Sequence, residues 1–174
     1  MANKLSKTTI LFHWIVGLMF ITVLAVGLYV EELPKGPEKW EILGLHKSFG
    51  FIVLMLAVAR IVWRFKEGAI ESGSVMSRAQ EIVAKSVQHI LLLGTVLMPV
   101  SGLMMSIGSG RSVDVFGVEL LAAGDKIEWV AGAGHSIHEI VSKILILVIL
   151  LHIAGALKHQ FKEKDGSISR MLGR

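Results

Sequence analysis

Residues Ile10–Val30 run for 21 positions without one Asp, Glu, Lys or Arg. A helix needs about 20 apolar residues to cross the hydrocarbon core of a bilayer, so this run is long enough to do so. Three further stretches have similar length and character. His46–Trp63 is broken only by Lys47 near its start and Arg60 near its end. Ile82–Ile107 carries Lys85 and His89 early and Pro99 late, and Ile137–Leu157 follows. Inside a membrane each segment must satisfy its own backbone, which makes all four helices. Overall, 53% of residues are hydrophobic and 18% charged. Soluble domains average about 45–50% and about 25%, so a soluble bundle with buried helices is the poorer reading. The expected fold is all-α, an integral membrane four-helix bundle, formed as one domain over residues 1–174.

The charges orient it. Three connectors separate the spans: Glu31–Leu45 with Pro34 and Pro37, the polar Arg64–Gln80 with Gly68 and Gly73, and the Gly-rich Gly108–Gly134. Met1–Lys7 is short and basic, but the apolar run after it is too long for the core of a signal peptide. On the side opposite the N-terminus lie Lys35, Lys39, Lys47, Arg111, Lys126 and Lys143; the other twelve of the 18 Lys and Arg share the side of both termini. That asymmetry predicts cytoplasmic termini. The net charge of +4 therefore reflects topology, and no nucleic-acid partner is expected.

There is no Cys and there are seven His. Thiolate metal sites, disulfides, Cys nucleophiles and covalently attached haem are excluded. Ionisable side chains at membrane depth mark function. No Asp or Glu lies well inside a span, whereas di-iron bundles and proton-coupled metal transporters need carboxylate oxygens. Neutral imidazoles alone suit haem iron held between two His. His138 and His152 are 14 residues apart, a rise of about 21 Å with both side chains within about 40° of one face. His46 opens the second span level with His138, and His13 lies level with His152. The expected pairs are His46 with His138 and His13 with His152, one haem to each. Four residues after these ligands stand Gly17, Gly50, Ser142 and Ala156. Small side chains there leave room for a flat macrocycle, or simply let helices pack. Arg60, 14 residues after His46, reaches the inner level and either meets a haem propionate or snorkels to headgroups. His89 and His159 sit near the cytoplasmic boundary and either handle protons for a quinone or face headgroups. Lys85 and Lys158 make that surface electropositive. His135 and His138 form an isolated i, i+3 pair with no further zinc ligands in view. Trp14, Trp40, Trp63 and Trp129 fall at the expected interfaces. Gly108–Gly134 either covers the outer haem or is a mobile tether.

Phe12-His13-Trp14, Leu45-His46-Lys47-Ser48-Phe49-Gly50, Arg60 through Arg64, Met98-Pro99-Val100-Ser101-Gly102, Ala156-Leu157-Lys158-His159-Gln160-Phe161, Lys164-Asp165-Gly166 and Arg170-Met171-Leu172 together resemble the bacterial cytochrome b561 family over nearly the whole chain. The His spacing on the last span also resembles the cytochrome b subunits of formate dehydrogenases and nickel-iron hydrogenases. The resemblance implies two b haems on the same His pairs, a bacterial inner-membrane location and electron exchange with ubiquinone. Some members are superoxide oxidases, which implies superoxide as a periplasmic donor. Many members carry a second His after the position of His159, where this chain has Gln160. Two other functions compete: a haem-bearing anchor for a larger dehydrogenase or hydrogenase, and a His-lined metal transporter, which the missing carboxylates disfavour.

Overall fold

The computed structural model describes residues 5–68 and 76–174. Lys4, counted above with the cations of the terminal side, and Gly73 of the second connector lie outside them. Four long helices, α1 (Lys7–Glu32), α2 (Pro37–Glu67), α3 (Arg78–Gly108) and α4 (Glu128–Leu157), are each long and apolar enough to cross a membrane. Their ends follow local chemistry. Ser6 Oγ accepts the Thr9 N–H at 3.1 Å to start α1. Pro37 and Glu38 open α2, where a missing N–H and a negative charge are both favourable. Ser77 and Gln80 form a reciprocal capping box at α3.

All three connectors are shorter than the hydropathy pattern predicts, the second because α2 runs on to Glu67 and α3 begins at Arg78. α2 begins at Pro37, well before His46, and α4 begins at Glu128, nine residues before Ile137. Hydropathy marks only the stretch that matches lipid, whereas a helix continues wherever packing supports it. For α4 that support is α3. The Cβ that Gly134 lacks would sit 2.8 Å from the Met105 nitrogen and 2.9 Å from the Ser101 carbonyl oxygen, so only glycine permits this approach.

The third connector also holds structure. Val113–Val115 (β1) and Val118–Leu121 (β2) form an antiparallel hairpin, with Phe116 and Gly117 both at positive φ in its turn. The Phe116 N–H donates to Ser48 Oγ at 2.9 Å, and the Phe116 ring meets Phe49 edge-on at 5.1 Å. These contacts seat the hairpin on α2.

Phe20, Val53, Met98 and Leu145, one from each long helix, make the central apolar layer. Large apolar side chains such as Leu18, Leu93 and Leu147 point outward and are more than half exposed, as lipid-facing residues are. At the terminal end α4 runs into a π-helical turn over Lys158–Glu163, and Lys164 in the left-handed region leads to α5 (Ser167–Met171). The Trp14 indole N–H donates to the Met171 carbonyl at 2.8 Å, tying this tail to α1. Trp63 donates to Thr9 Oγ1, whose hydroxyl bonds Glu67. Trp14 and Trp63 thus lock helix ends together, whereas Trp40 and Trp129 are exposed at the hairpin end.

Candidate functional site

Two imidazole pairs face each other at different depths. At the hairpin end the rings of His46 on α2 and His138 on α4 have centroids 6.3 Å apart, with their planes 78° from one another. At the terminal end His13 on α1 and His152 on α4 are 6.1 Å apart, tilted by 53°. Two imidazoles sharing one metal ion at about 2.0–2.1 Å per bond have centroids about 6–6.5 Å apart. Both separations therefore fit a single iron between the rings. The apolar layer lies half-way: Val53 is seven residues after His46 and Leu145 is seven from both His138 and His152.

Small residues shape the surroundings. A Cβ on Gly17 or Gly50 would meet no atom within 4 Å, so open space lies beside His13 and His46 as a bulky flat group requires. Ser142 and Ala156 are half-buried, with the Ser142 hydroxyl turned back onto the Glu139 carbonyl at 2.8 Å. A Cβ on Gly27 would come within 2.8 Å of the His46 ring, so α1 can approach that imidazole only with glycine there.

The hairpin-end rings are held at Nδ1. His46 Nδ1 lies 3.1 Å from the Val23 carbonyl. His138 Nδ1 lies 2.9 Å from Ser101 Oγ and 3.1 Å from the Met98 carbonyl, to which the Ser101 hydroxyl donates at 2.7 Å. An N–H donated from Nδ1 leaves Nε2 as the nitrogen free to bind a metal. Val23, Gly27, Met98 and Ser101 escape a reading based on His spacing. Met98 and Ser101 have a visible signal, since both stand in the Met98–Gly102 motif without an assigned role.

A cavity of about 60 Å³ at this end is lined by His46, His138, Gly50, Gly102 and all three residues of β1. It adjoins a wider hollow of about 230 Å³ lined by Trp40, Lys47, Arg111 and Asp114. At the other end Arg60 is close enough to act by charge on both His13 and His152, and no acid pairs with it among the described residues.

The remaining histidines have different surroundings. His89 is exposed on α3, its Nδ1 2.6 Å from the Lys85 carbonyl. His159 is tied instead to Glu163 and Asp165, at 2.7 and 2.6 Å from its Nδ1. No hydrogen bond joins His89 and His159 among the described residues. Nor is the nearby surface a field of free cations, because Lys85 pairs with Glu81 and Lys158 with Glu163. Folding the tail back through Lys164 brings in Asp165, which spacing along a helix does not reveal. His135 is exposed and lies 3.9 Å from Glu139.

The sequence profile described as prokaryotic cytochrome b561 matches residues 4–174. The chain belongs to that family. It is 30% identical to cytochrome b561 homolog 2 of Escherichia coli (strain K12) over 94% of this chain and 88% of the relative. Cytochrome b561 homolog 1 of the same organism is 27% identical over 99% and 98%. Cytochrome b562 of Cereibacter sphaeroides is 31% identical over 74% of this chain and 66% of its own length. The chain is thus a multi-pass membrane cytochrome of the b type that serves in electron transfer, and the family implies b-type haem. In this chain the two His pairs, with the open space at Gly17 and Gly50, are the places where such a group fits.

Proposed function

We propose that the chain is a di-haem oxidoreductase, a single domain over residues 1–174. It would move electrons across the bacterial inner membrane, with both termini cytoplasmic. The observation that carries this reading is the pair of facing imidazole couples at 6.3 and 6.1 Å, one at each end of the bundle. His46 and His138 would hold the periplasmic haem, and His13 and His152 the cytoplasmic one. Bound haem supplies a one-electron couple at each level. The protein's part is to aim the ligands, through Val23, Met98 and Ser101 at one end, and to keep water from the space between. The layer of Phe20, Val53, Met98 and Leu145 does the latter. Arg60 faces the inner pair and would neutralise a propionate there.

On the periplasmic side the donor is superoxide. Lys47 and Arg111 line the hollow beside the outer pair together with Asp114, and two cations against one carboxylate leave it favourable to a small anion. On the cytoplasmic side the acceptor is ubiquinone. Two superoxide anions give up two electrons and become two O₂, and the quinone takes those electrons with two protons to become quinol. His159, held by Asp165 and Glu163 at that surface, is placed to pass protons. His89, exposed on α3, fits the headgroup-facing alternative.

The test is a reduced-minus-oxidised visible spectrum of the purified chain, with haem quantified per polypeptide. Two low-spin b haems are expected, and one or none would overturn the assignment. Superoxide should then reduce the haem without any partner protein, and added ubiquinone should reoxidise it. Reduction only in the presence of a dehydrogenase subunit would make the chain an anchor of a larger complex.

A further inference from the structure

The turn that follows α4 gathers three side chains able to bind a metal. Its π-helical geometry sets His159 and Glu163 on one side, with Glu163 Oε2 2.7 Å from His159 Nδ1. Lys164, in the left-handed region at φ 55°, then reverses the chain. The Asp165 N–H donates to the His159 carbonyl at 3.2 Å, and Asp165 Oδ2 comes to 2.6 Å from the same Nδ1. All three ligand atoms lie within 4.8 Å of one another. The His159 and Asp165 side chains are only 17% and 10% exposed, so the cluster is largely withdrawn from water.

Hydrogen bonding alone does not account for this convergence. Nδ1 carries at most one proton, yet two carboxylate oxygens address it, and the two carboxylates repel each other. Each carboxylate is also oriented from outside the cluster. Glu163 Oε1 accepts from Lys158 Nζ at 2.7 Å and from Gln80 Nε2 of α3 at 3.5 Å. Asp165 Oδ1 accepts the Ser167 N–H and hydroxyl at 2.9 and 2.6 Å. One oxygen of each is pinned while the other is turned to His159, which is how outer partners aim the ligands of a metal ion. We infer that His159 Nδ1, Glu163 Oε2 and Asp165 Oδ2 form a divalent-cation site of the zinc class. Zinc bonds of about 2.0–2.2 Å in tetrahedral geometry set ligand atoms about 3.3–3.5 Å apart, so each pair at Nδ1 needs to open by less than about 1 Å. A nitrogen with two carboxylates suits zinc better than Mg²⁺ or Ca²⁺, which prefer surroundings of oxygen alone. Three protein ligands leave a fourth position for water. The cation takes the place of the proton on Nδ1 and so stops His159 from passing protons. That consequence, unlike the site itself, rests on the quinone reading above.

Calorimetric titration of Zn²⁺ into the purified, chelator-washed chain with its haem tests the site without donor or quinone. One Zn²⁺ per chain should bind at this site, and excess Mg²⁺ should not displace it. Asp165→Asn and Glu163→Gln should each weaken binding at least about tenfold, the loss that even an outer partner of a ligand causes. Helical content and the visible spectrum should not change in either variant. His89→Gln and His135→Gln, at exposed imidazoles elsewhere, should leave the affinity as it was. Zinc-edge X-ray absorption should show one imidazole nitrogen among oxygen ligands. The site is overturned if no zinc binds, if both carboxylate variants keep the affinity, if His89→Gln or His135→Gln abolishes it, or if two imidazoles surround the metal. Bound zinc should also slow ubiquinone-dependent reoxidation about tenfold and spare reduction from the far side. Zinc held by these three ligands with reoxidation unslowed would uphold the site and count against His159 as the proton carrier.

Discussion

Ser48 Oγ accepts the backbone N–H of Phe116 at 2.9 Å and donates its own hydroxyl to the Gly44 carbonyl at 2.9 Å. This buried hydroxyl on α2, two residues from His46, therefore fastens the turn of the hairpin beside the outer imidazole pair. β1 is carried in behind that turn, and Val113 and Val115 close one wall of the cavity that His46 and His138 share.

Ser48→Ala removes the acceptor and should weaken that attachment by about 1 kcal/mol. Hydrogen exchange over residues 113–121 should then quicken about fivefold while the four long helices stay protected. Unchanged exchange would mean that packing of Phe116 on Phe49 alone seats the hairpin.

The facing pairs make a crossed prediction. His46→Ala and His138→Ala should each remove one haem and leave the same spectrum behind. His13→Ala and His152→Ala should each remove the other. Loss of one and the same haem from His46→Ala and His152→Ala would show the pairing to be wrong.

Glycines test where the cofactor lies. Gly17→Leu and Gly50→Leu place bulk in space that no protein atom fills. Each should expel one haem while the protein keeps its helical content. Gly134→Ala should behave in the opposite way, because its Cβ would strike α3 backbone. It should lower thermal stability by about 1–3 kcal/mol. Haem loss from Gly134→Ala without a drop in melting temperature would contradict this distinction.

The tail of the chain bears on the proton step. Asp165 accepts from the Ser167 N–H and hydroxyl through one oxygen and meets His159 Nδ1 through the other. Asp165→Asn should slow ubiquinone-dependent reoxidation by about tenfold or more, in the range typical of a lost proton-transfer group. Superoxide-driven reduction at the far side should keep its rate. Equal slowing of both half-reactions would point to a general loosening of the bundle instead.

How much of this was legible beforehand depended on the range of the interaction. The four spans are local properties, since about 20 apolar residues in a row match the bilayer whatever lies beside them. The depth of each histidine is equally local, because rise per residue converts the 14-residue spacing of His138 and His152 into a distance along the membrane. The helical start of α4 at Glu128 and the hairpin were not legible. Glu128–Ser136 is too polar to read as a span, and three- and four-residue strands leave only a faint alternation. His89 and His159 look equivalent by depth, yet one is exposed on α3 and the other is bound to Asp165 by the returning tail.

Sequence alone therefore determined what the chain is made to sit in, how many times it crosses, and which imidazoles share a level. Tertiary structure decided what each imidazole touches sideways. Val23 reaches His46, Ser101 reaches His138, and Arg60 stands near His13 and His152 because of how the helices are turned about their axes and how closely Gly27 and Gly134 let them approach. Rotation and approach are set by packing between residues far apart in the chain, so no window of sequence contains them.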